Sequence, residues 1–265
     1  ADDQVVQCAR RATQLGALPG DEVEAVERGV RRPLGRQLKG LGQAGHRGSR
    51  LLPDHAGRRV GALLGLKPGD DPLEARARGH DLDAIANAVS PKAAIVYLAN
   101  PNNPTATWFG ADAFAAFMAK VPESVIVVVD EAYAEFADEP SAASLLPRHE
   151  NIAVLRTLSK AHALAAARIG CVIADAGLIA VLRNCQAPYP IPAPCSALAL
   201  AGLDDAALAR TRERIALVRA ERERLRAALA QLPGVRRVYP SDANFLLVRL
   251  VDAEAAFQRL LVAGV

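Results

Sequence analysis

Aromatic residues are missing from the first 96 positions of this chain; all eleven Phe, Tyr and Trp residues lie from Tyr97 onward. Aromatic side chains supply large buried areas, so their absence predicts a weakly packed, partly disordered first third. That segment is rich in glycine and arginine, as in "RGVRRPLGRQLKGLGQAGHRGSR", and has little apolar periodicity. No apolar run approaches about 18 residues, so no membrane-spanning helix is expected. The start, "ADDQVVQCARR", lacks a basic stretch leading into an apolar core, so no signal peptide is expected and the chain reads as cytoplasmic. The four cysteines (Cys8, Cys171, Cys185, Cys195) form no C-x-x-C pair and no metal-ligand spacing. They are expected to be reduced, and no metal site is predicted. A net charge of +3, with 32 basic residues against 29 acidic ones, gives no case for a nucleic-acid surface. The chain has no initiator methionine and stops at "LLVAGV", so it reads as a fragment or a processed product.

What is present is globular: 51% of residues are hydrophobic and 23% charged. From about residue 80, short runs rich in Val and Ile appear, "AAIVYLA" (93–99), "SVIVVVD" (124–130) and "NIAVLRT" (151–157), with "RIGCVIA" (168–174) as a fourth. Such runs suit strands of a mostly parallel sheet buried on both faces. The helical stretch "GADAFAAFMAKV" (110–121) falls between two of them, which predicts an α/β layer fold. After the Pro-rich "APYPIPAPC" a long helix is predicted over 204–232, with Ile215, Val218, Leu225 and Leu229 near one face and Glu–Arg pairs elsewhere. Two strands, "VRRVYP" and "NFLLVRL", and a helix in "DAEAAFQRLLVAG" follow. The expected organisation is a divergent segment 1–79, a large domain 80–203, and the start of a smaller α+β domain at 204–265.

In open α/β sheets, ligands sit beyond the carboxyl ends of the strands. "ANPNNPT" follows the first run with Asn103, "DEAYAEF" closes the second with Asp130 and Tyr133, and "RTLSK" closes the third with Thr157, Ser159 and Lys160. Taken singly, Asp130 reads as a helix N-cap, Tyr133 as a core tyrosine, Asn103-Pro104 as a turn, Lys160 as a surface lysine and Arg168 as a surface ion pair. Together they fit pyridoxal phosphate. That cofactor needs a lysine for its Schiff base and a carboxylate at the ring nitrogen. Its phenolic oxygen needs donors, and its phosphate needs hydroxyls and an arginine fork. The small residues between Lys160 and Arg168 would let the backbone pass close to it. His80 and Asp81 read as a helix start, and His149 and His162 as lone histidines without a role.

"LANPNNPTATWFGADAFAAF", "VVVDEAYAEF" and "VLRTLSKAHALAAARIG" resemble the three core motifs of fold-type I aminotransferases. The likeness is nearest to the histidinol-phosphate aminotransferase family, and it runs over roughly residues 80 to 265. It implies a mostly parallel sheet sandwiched by helices, with a smaller α+β C-terminal domain. It implies Lys160 as the Schiff-base lysine and proton carrier, Asp130 at the pyridine nitrogen, and Asn103 and Tyr133 at the phenolic oxygen. Thr157, Ser159 and Arg168 would hold the phosphate. The reaction implied moves an amino group from glutamate to imidazole-acetol phosphate, giving histidinol phosphate and 2-oxoglutarate, in a homodimer.

The sequence also departs from that pattern. Before residue 80 there is neither a glycine-rich phosphate-binding turn nor a ring-stacking aromatic, and the family's N-terminal arm and last segment, with its carboxylate-binding arginine, are absent. Ala106 stands where the family has glycine after Asn-Pro-Thr, which is tolerable if the backbone there needs no positive φ. Two alternatives therefore remain: a catalytically impaired remnant of the family, and a related decarboxylase of phospho-amino acids.

Overall fold

The computed structural model describes residues 79–90 and 93–265. The expectations for the first third, its weak packing and its missing turn and aromatic, lie outside the described residues. The chain enters through helix α1 (Leu82–Ala88), whose start is fixed by Asp81: its carboxylate accepts from the Ala84 N–H at 2.9 Å. Strands β1 (Ile95–Ala99), β2 (Ile126–Asp130) and β3 (Ile152–Thr157) follow, with α2 (Ala111–Met118) between the first two. They pair in parallel in the order of the chain, and β4 (Gly170–Ala174) closes the sheet antiparallel to β3. The mostly parallel α/β sheet is the architecture expected.

The core lies on one face of this sheet. Phe114, Phe117 and Met118, spaced at i, i+3 and i+4 on α2, bury against Leu98, Val127, Val129, Ile152 and Val154. Leu82 and Ile85 of α1 join the same cluster, as do Ala142, Ala143 and Leu145 from a 3₁₀ turn at 142–145. Burial of each large side chain here contributes about 2–3 kcal/mol. The expectation of strands buried on both faces holds for β3, where Ile152, Ala153 and Val154 are consecutively buried. It fails for β1, where Ile95 and Tyr97 are 61% and 57% exposed. An apolar run reports that both faces can be covered, and at β1 the described residues cover one.

Beyond β4 come α3 (Ala176–Asn184), α4 (Ala193–Gly202) and the long α5 (Asp205–Leu229). Helix α4 was not expected: it begins inside the Pro-rich stretch, with proline in its first turn, where a missing N–H costs nothing. Asp204 then restarts the chain as the N-cap of α5, accepting from the Ala207 N–H at 2.7 Å. The predicted ion pairs are present, Glu221–Arg224 at 2.6 Å and Glu223–Arg226 at 2.7 Å. The predicted apolar face is only partly right. Ile215, Val218 and Leu229 are half-buried, while Leu225 is 45% exposed. The covered stripe runs instead through Leu208, Thr211, Ile215 and Val218 to Arg222.

A second sheet of two antiparallel strands, β5 (Val235–Val238) and β6 (Val248–Leu250), ends with α6 (Ala253–Val262). The strand expected over "NFLLVRL" is shorter than its apolar run. Ser241 captures the first part in a turn, its hydroxyl donating to the Phe245 carbonyl at 2.6 Å and accepting from the Ala243 N–H at 3.1 Å. A side chain that satisfies the main chain this way competes with the sheet ladder.

Candidate functional site

The carboxyl ends of β2 and β3 open onto a cleft of about 340 Å³ lined by Asp130, Thr157, Ser159, Lys160, Ala165 and Arg168, among others. Strand β2 delivers Asp130 as its last residue and β3 delivers Thr157 as its last. The following loop folds back on itself, with the Leu158 N–H donating to the Ile169 carbonyl at 3.1 Å and the Leu164 N–H to the Leu158 carbonyl at 3.0 Å. Two residues in the loop, Ala163 and Arg168, have positive φ, 57° and 53°. Left-handed backbone at non-glycine residues clusters where a site dictates the chain path. Arg168 is exposed, and its Nη1 donates to the Ala165 carbonyl at 3.0 Å. This replaces the surface ion pair that the residue suggests on its own.

Within the cleft, the Thr157 hydroxyl donates to the Ser159 Oγ at 2.9 Å and accepts from the Ser159 N–H at 3.1 Å. Asp130 caps no helix. Its Oδ1 accepts from the Ala132 N–H at 3.1 Å, and its Oδ2 accepts from the Tyr97 hydroxyl. Asn103 and Tyr133 stand beside the cleft, where the Asn103 Nδ2 donates to the Tyr133 hydroxyl at 3.2 Å. Lys160 is exposed and connects the two groups, its Nζ lying 5.0 Å from the centroid of the Tyr133 ring. The Phe245 ring meets the Tyr133 ring edge-on, with centroids 5.2 Å apart. All seven residues singled out in the sequence are thus gathered at one end of the sheet.

Beneath the cleft is a buried polar cluster that the sequence did not announce. Glu131 is completely buried, and its carboxylate accepts from the Ser141 hydroxyl at 2.7 Å, the Ala142 N–H at 2.7 Å and Arg156 Nη1 at 2.8 Å. Glu135 takes the other side of the same guanidinium, at 3.5 Å. Burial pushes both carboxyls above the usual range, and Arg156 opposes that rise. Burial disfavours the Arg156 charge too, but Glu135 and Glu131 outweigh it and hold the guanidinium above its ordinary value. Of the two carboxylates on this cation, Glu135 makes the longer contact, and its Oε2 has no hydrogen-bond partner. His162 is buried nearby with its Nδ1 unpartnered; burial first, and then Arg156, hold it below its ordinary value. The signal for this cluster was available: a charge such as Arg156 inside an apolar strand run is rarely buried without partners.

The loop bearing Asn103 corrects one expectation. Ala106 has φ 59° and is fully buried, so the backbone there does take the left-handed turn that glycine favours. The turn is fastened on both sides. The Ala106 N–H donates to the Asn102 carbonyl at 2.7 Å, and the Ala106 carbonyl accepts from the Asp242 N–H at 2.8 Å. Among the described residues no group of His, Cys, Asp or Glu could hold a metal ion, and no helix is long and apolar enough to cross a membrane. Among the described residues, Cys171, Cys185 and Cys195 form no disulfide.

Comparison with known proteins follows the same lines. A family model described as aminotransferase class I and II matches residues 72–265. The chain is 59% identical over 186 residues to the histidinol-phosphate aminotransferase of Xanthomonas axonopodis pv. citri (strain 306), an alignment covering 70% of this chain and 51% of that protein. It therefore spans about half the length of the curated relatives it matches. Among solved structures, histidinol-phosphate aminotransferase from Sinorhizobium meliloti, in complex with pyridoxal-5'-phosphate, superposes with a TM-score of 0.60 at 32% identity, covering 69% of this chain and 50% of that one. A decarboxylase from Sulfurospirillum multivorans superposes with a TM-score of 0.63 at 24% identity, covering 72% and 56%, and shows the shared fold alone. The fold is that of the fold-type I transferases, and the chain belongs to the class I and II aminotransferase family.

Proposed function

We propose that this chain carries the cofactor-binding part of a pyridoxal phosphate-dependent aminotransferase of histidine biosynthesis. It would act between glutamate and imidazole-acetol phosphate, giving histidinol phosphate and 2-oxoglutarate. The observation that carries the reading is the single cleft in which Asp130, Thr157, Ser159, Lys160 and Arg168 meet. The donor set suits the cofactor's chemistry: an anion for a protonated ring nitrogen, hydroxyls and a guanidinium for a phosphate, and an amine for an aldehyde. When bound, the cofactor supplies an electron sink for charge developing at the substrate's Cα.

The chain's own groups do the rest. Asp130 would hold the ring nitrogen's proton, and Asn103 and Tyr133 would orient the phenolic oxygen. The Thr157 and Ser159 hydroxyls and the Arg168 guanidinium bind phosphate oxygens. Lys160 would hold the cofactor through Nζ, and the same Nζ would take up and return the proton at the substrate's Cα. The 59% identical relative and the 32% identical solved structure support this substrate class over the decarboxylase reading. A cytoplasmic homodimer belongs to the same proposal; the exposure of Tyr189, Ile191, Leu198 and Leu200 supports a second copy as neighbour. The same proposal places the start of a smaller domain at residue 204, where α5 leads to the separate second sheet.

The test is to add pyridoxal phosphate to the purified chain, reduce with borohydride, and map the modified peptide. A stable label on Lys160 that disappears in Lys160→Ala is the expected result, followed by turnover of histidinol phosphate with 2-oxoglutarate. Label scattered over surface lysines would overturn the cofactor reading. Specific label without turnover would identify the chain as the impaired form.

A further inference from the structure

Tyr97 is placed by something other than packing. It lies on β1, opposite Val128, two residues before Ala99, which pairs with Asp130. Alternation along a strand sets residues 97 and 99 on one face. From there the Tyr97 hydroxyl crosses to β2 and donates to Asp130 Oδ2. Its ring is 57% exposed, so burial of the ring contributes little to fixing it. Desolvation of the hydroxyl, and then the Asp130 carboxylate, push it up to about 12. The phenol therefore stays protonated across the pH range in which such an enzyme works, and toward the ionised Asp130 carboxylate it is the donor.

We propose that Tyr97 is a positioning residue for the cofactor site, fixing the plane of the Asp130 carboxylate that meets the cofactor's ring nitrogen. This rests on the cofactor-binding reading above. The carboxylate torsion of an aspartate is broad, so one donor alone leaves the group free to rock. Here Oδ1 is tied to the Ala132 N–H and Oδ2 to the Tyr97 hydroxyl, one main-chain and one side-chain donor. With both in place the carboxylate meets the ring nitrogen in one orientation, without reorganising on binding. Nothing in the three core motifs reveals the role, because Tyr97 reads as one more apolar residue in "IVYLA".

The experiment uses the full chain in four forms: wild type, Tyr97→Phe, Asp130→Asn and the double variant. Pyridoxal phosphate affinity is measured by titrating the visible band, with borohydride trapping yield at fixed cofactor as the second readout for weak binders. Removing one hydrogen bond to a charged group should weaken cofactor binding about tenfold in Tyr97→Phe and alter the visible spectrum of the bound cofactor. In the Asp130→Asn background the same change should have less than about a twofold effect, because the group it acts through is gone. The denaturation midpoint of Tyr97→Phe should match wild type. Equal effects in both backgrounds, or no effect in either, would overturn the proposal. If wild type itself takes no label on Lys160, the cofactor reading fails and Tyr97's role falls with it; a labelled wild type with an unaffected Tyr97→Phe removes the Tyr97 role alone.

Discussion

Ala106 sits in left-handed backbone with its methyl group fully buried, a conformation costing an L-residue about 1–2 kcal/mol. The turn persists because hydrogen bonds to Asn102 and Asp242 fasten it from both sides. Ala106→Val adds a β-branch to a strained and closed position, so urea denaturation should show a loss of at least about 2 kcal/mol. Ala106→Gly should change stability by less than about 1 kcal/mol, strain relief being offset by chain entropy. His162 yields a pH prediction. Its folded value is depressed, so its contribution to stability is present above the unfolded value of 6.5 and is lost as pH falls through the folded value. His162→Phe should therefore lose less stability than wild type between neutral and mildly acid pH, measured as the difference between the two urea curves. At this scale the sequence is legible where chemistry-bearing residues stand at strand ends, as Asp130, Thr157 and Lys160 do. Tyr97 is hidden because its partner lies on the neighbouring strand, and a single strand's composition carries no register; Arg156 signals that partners exist, but not that they are Glu131 and Glu135 in the segment after β2.

Elements were readable where one periodicity dominates. The Phe114, Phe117, Met118 stripe of α2 and the Val-rich β2 follow from spacing alone, whereas the Ser241 turn shortens β6 through a side-chain bond that apolar patterning cannot show. Phe117→Ala should cost about 3–5 kcal/mol, since it opens a cavity between helix and sheet that the strands cannot collapse to fill. Arg222 does different work. From α5 its Nη1 donates to the Ala243 carbonyl at 2.9 Å and the Phe136 carbonyl at 3.4 Å, tying the helix to the turn that carries Phe245 and to the turn after Tyr133. Arg222→Met keeps the stem but leaves the Phe136 carbonyl unpaired and the Ala243 carbonyl with the Ser241 hydroxyl at 3.3 Å alone. It should cost about 1–3 kcal/mol in a denaturation experiment and loosen the Tyr133–Phe245 contact.

At the scale of the whole molecule, cofactor and stability are linked. A ligand bound only by the folded chain adds about 2.7 kcal/mol at a hundredfold excess over its dissociation constant. Pyridoxal phosphate at that excess should raise the unfolding free energy of wild type by about this amount, and the same concentration should stabilise Lys160→Ala far less. The Asp242 N–H on the Ala106 carbonyl and the Phe245 ring on Tyr133 also set an order of events. Asp130, Thr157 and Lys160 all precede α5, yet the loop and ring that brace Asn103 and Tyr133 are finished only by residues that follow it. On the ribosome, the cleft would hold its chemical groups long before it holds their arrangement. A nascent chain halted within α5 would carry the lysine without a settled pocket, and cofactor capture would wait for the 241–245 turn to leave the exit tunnel.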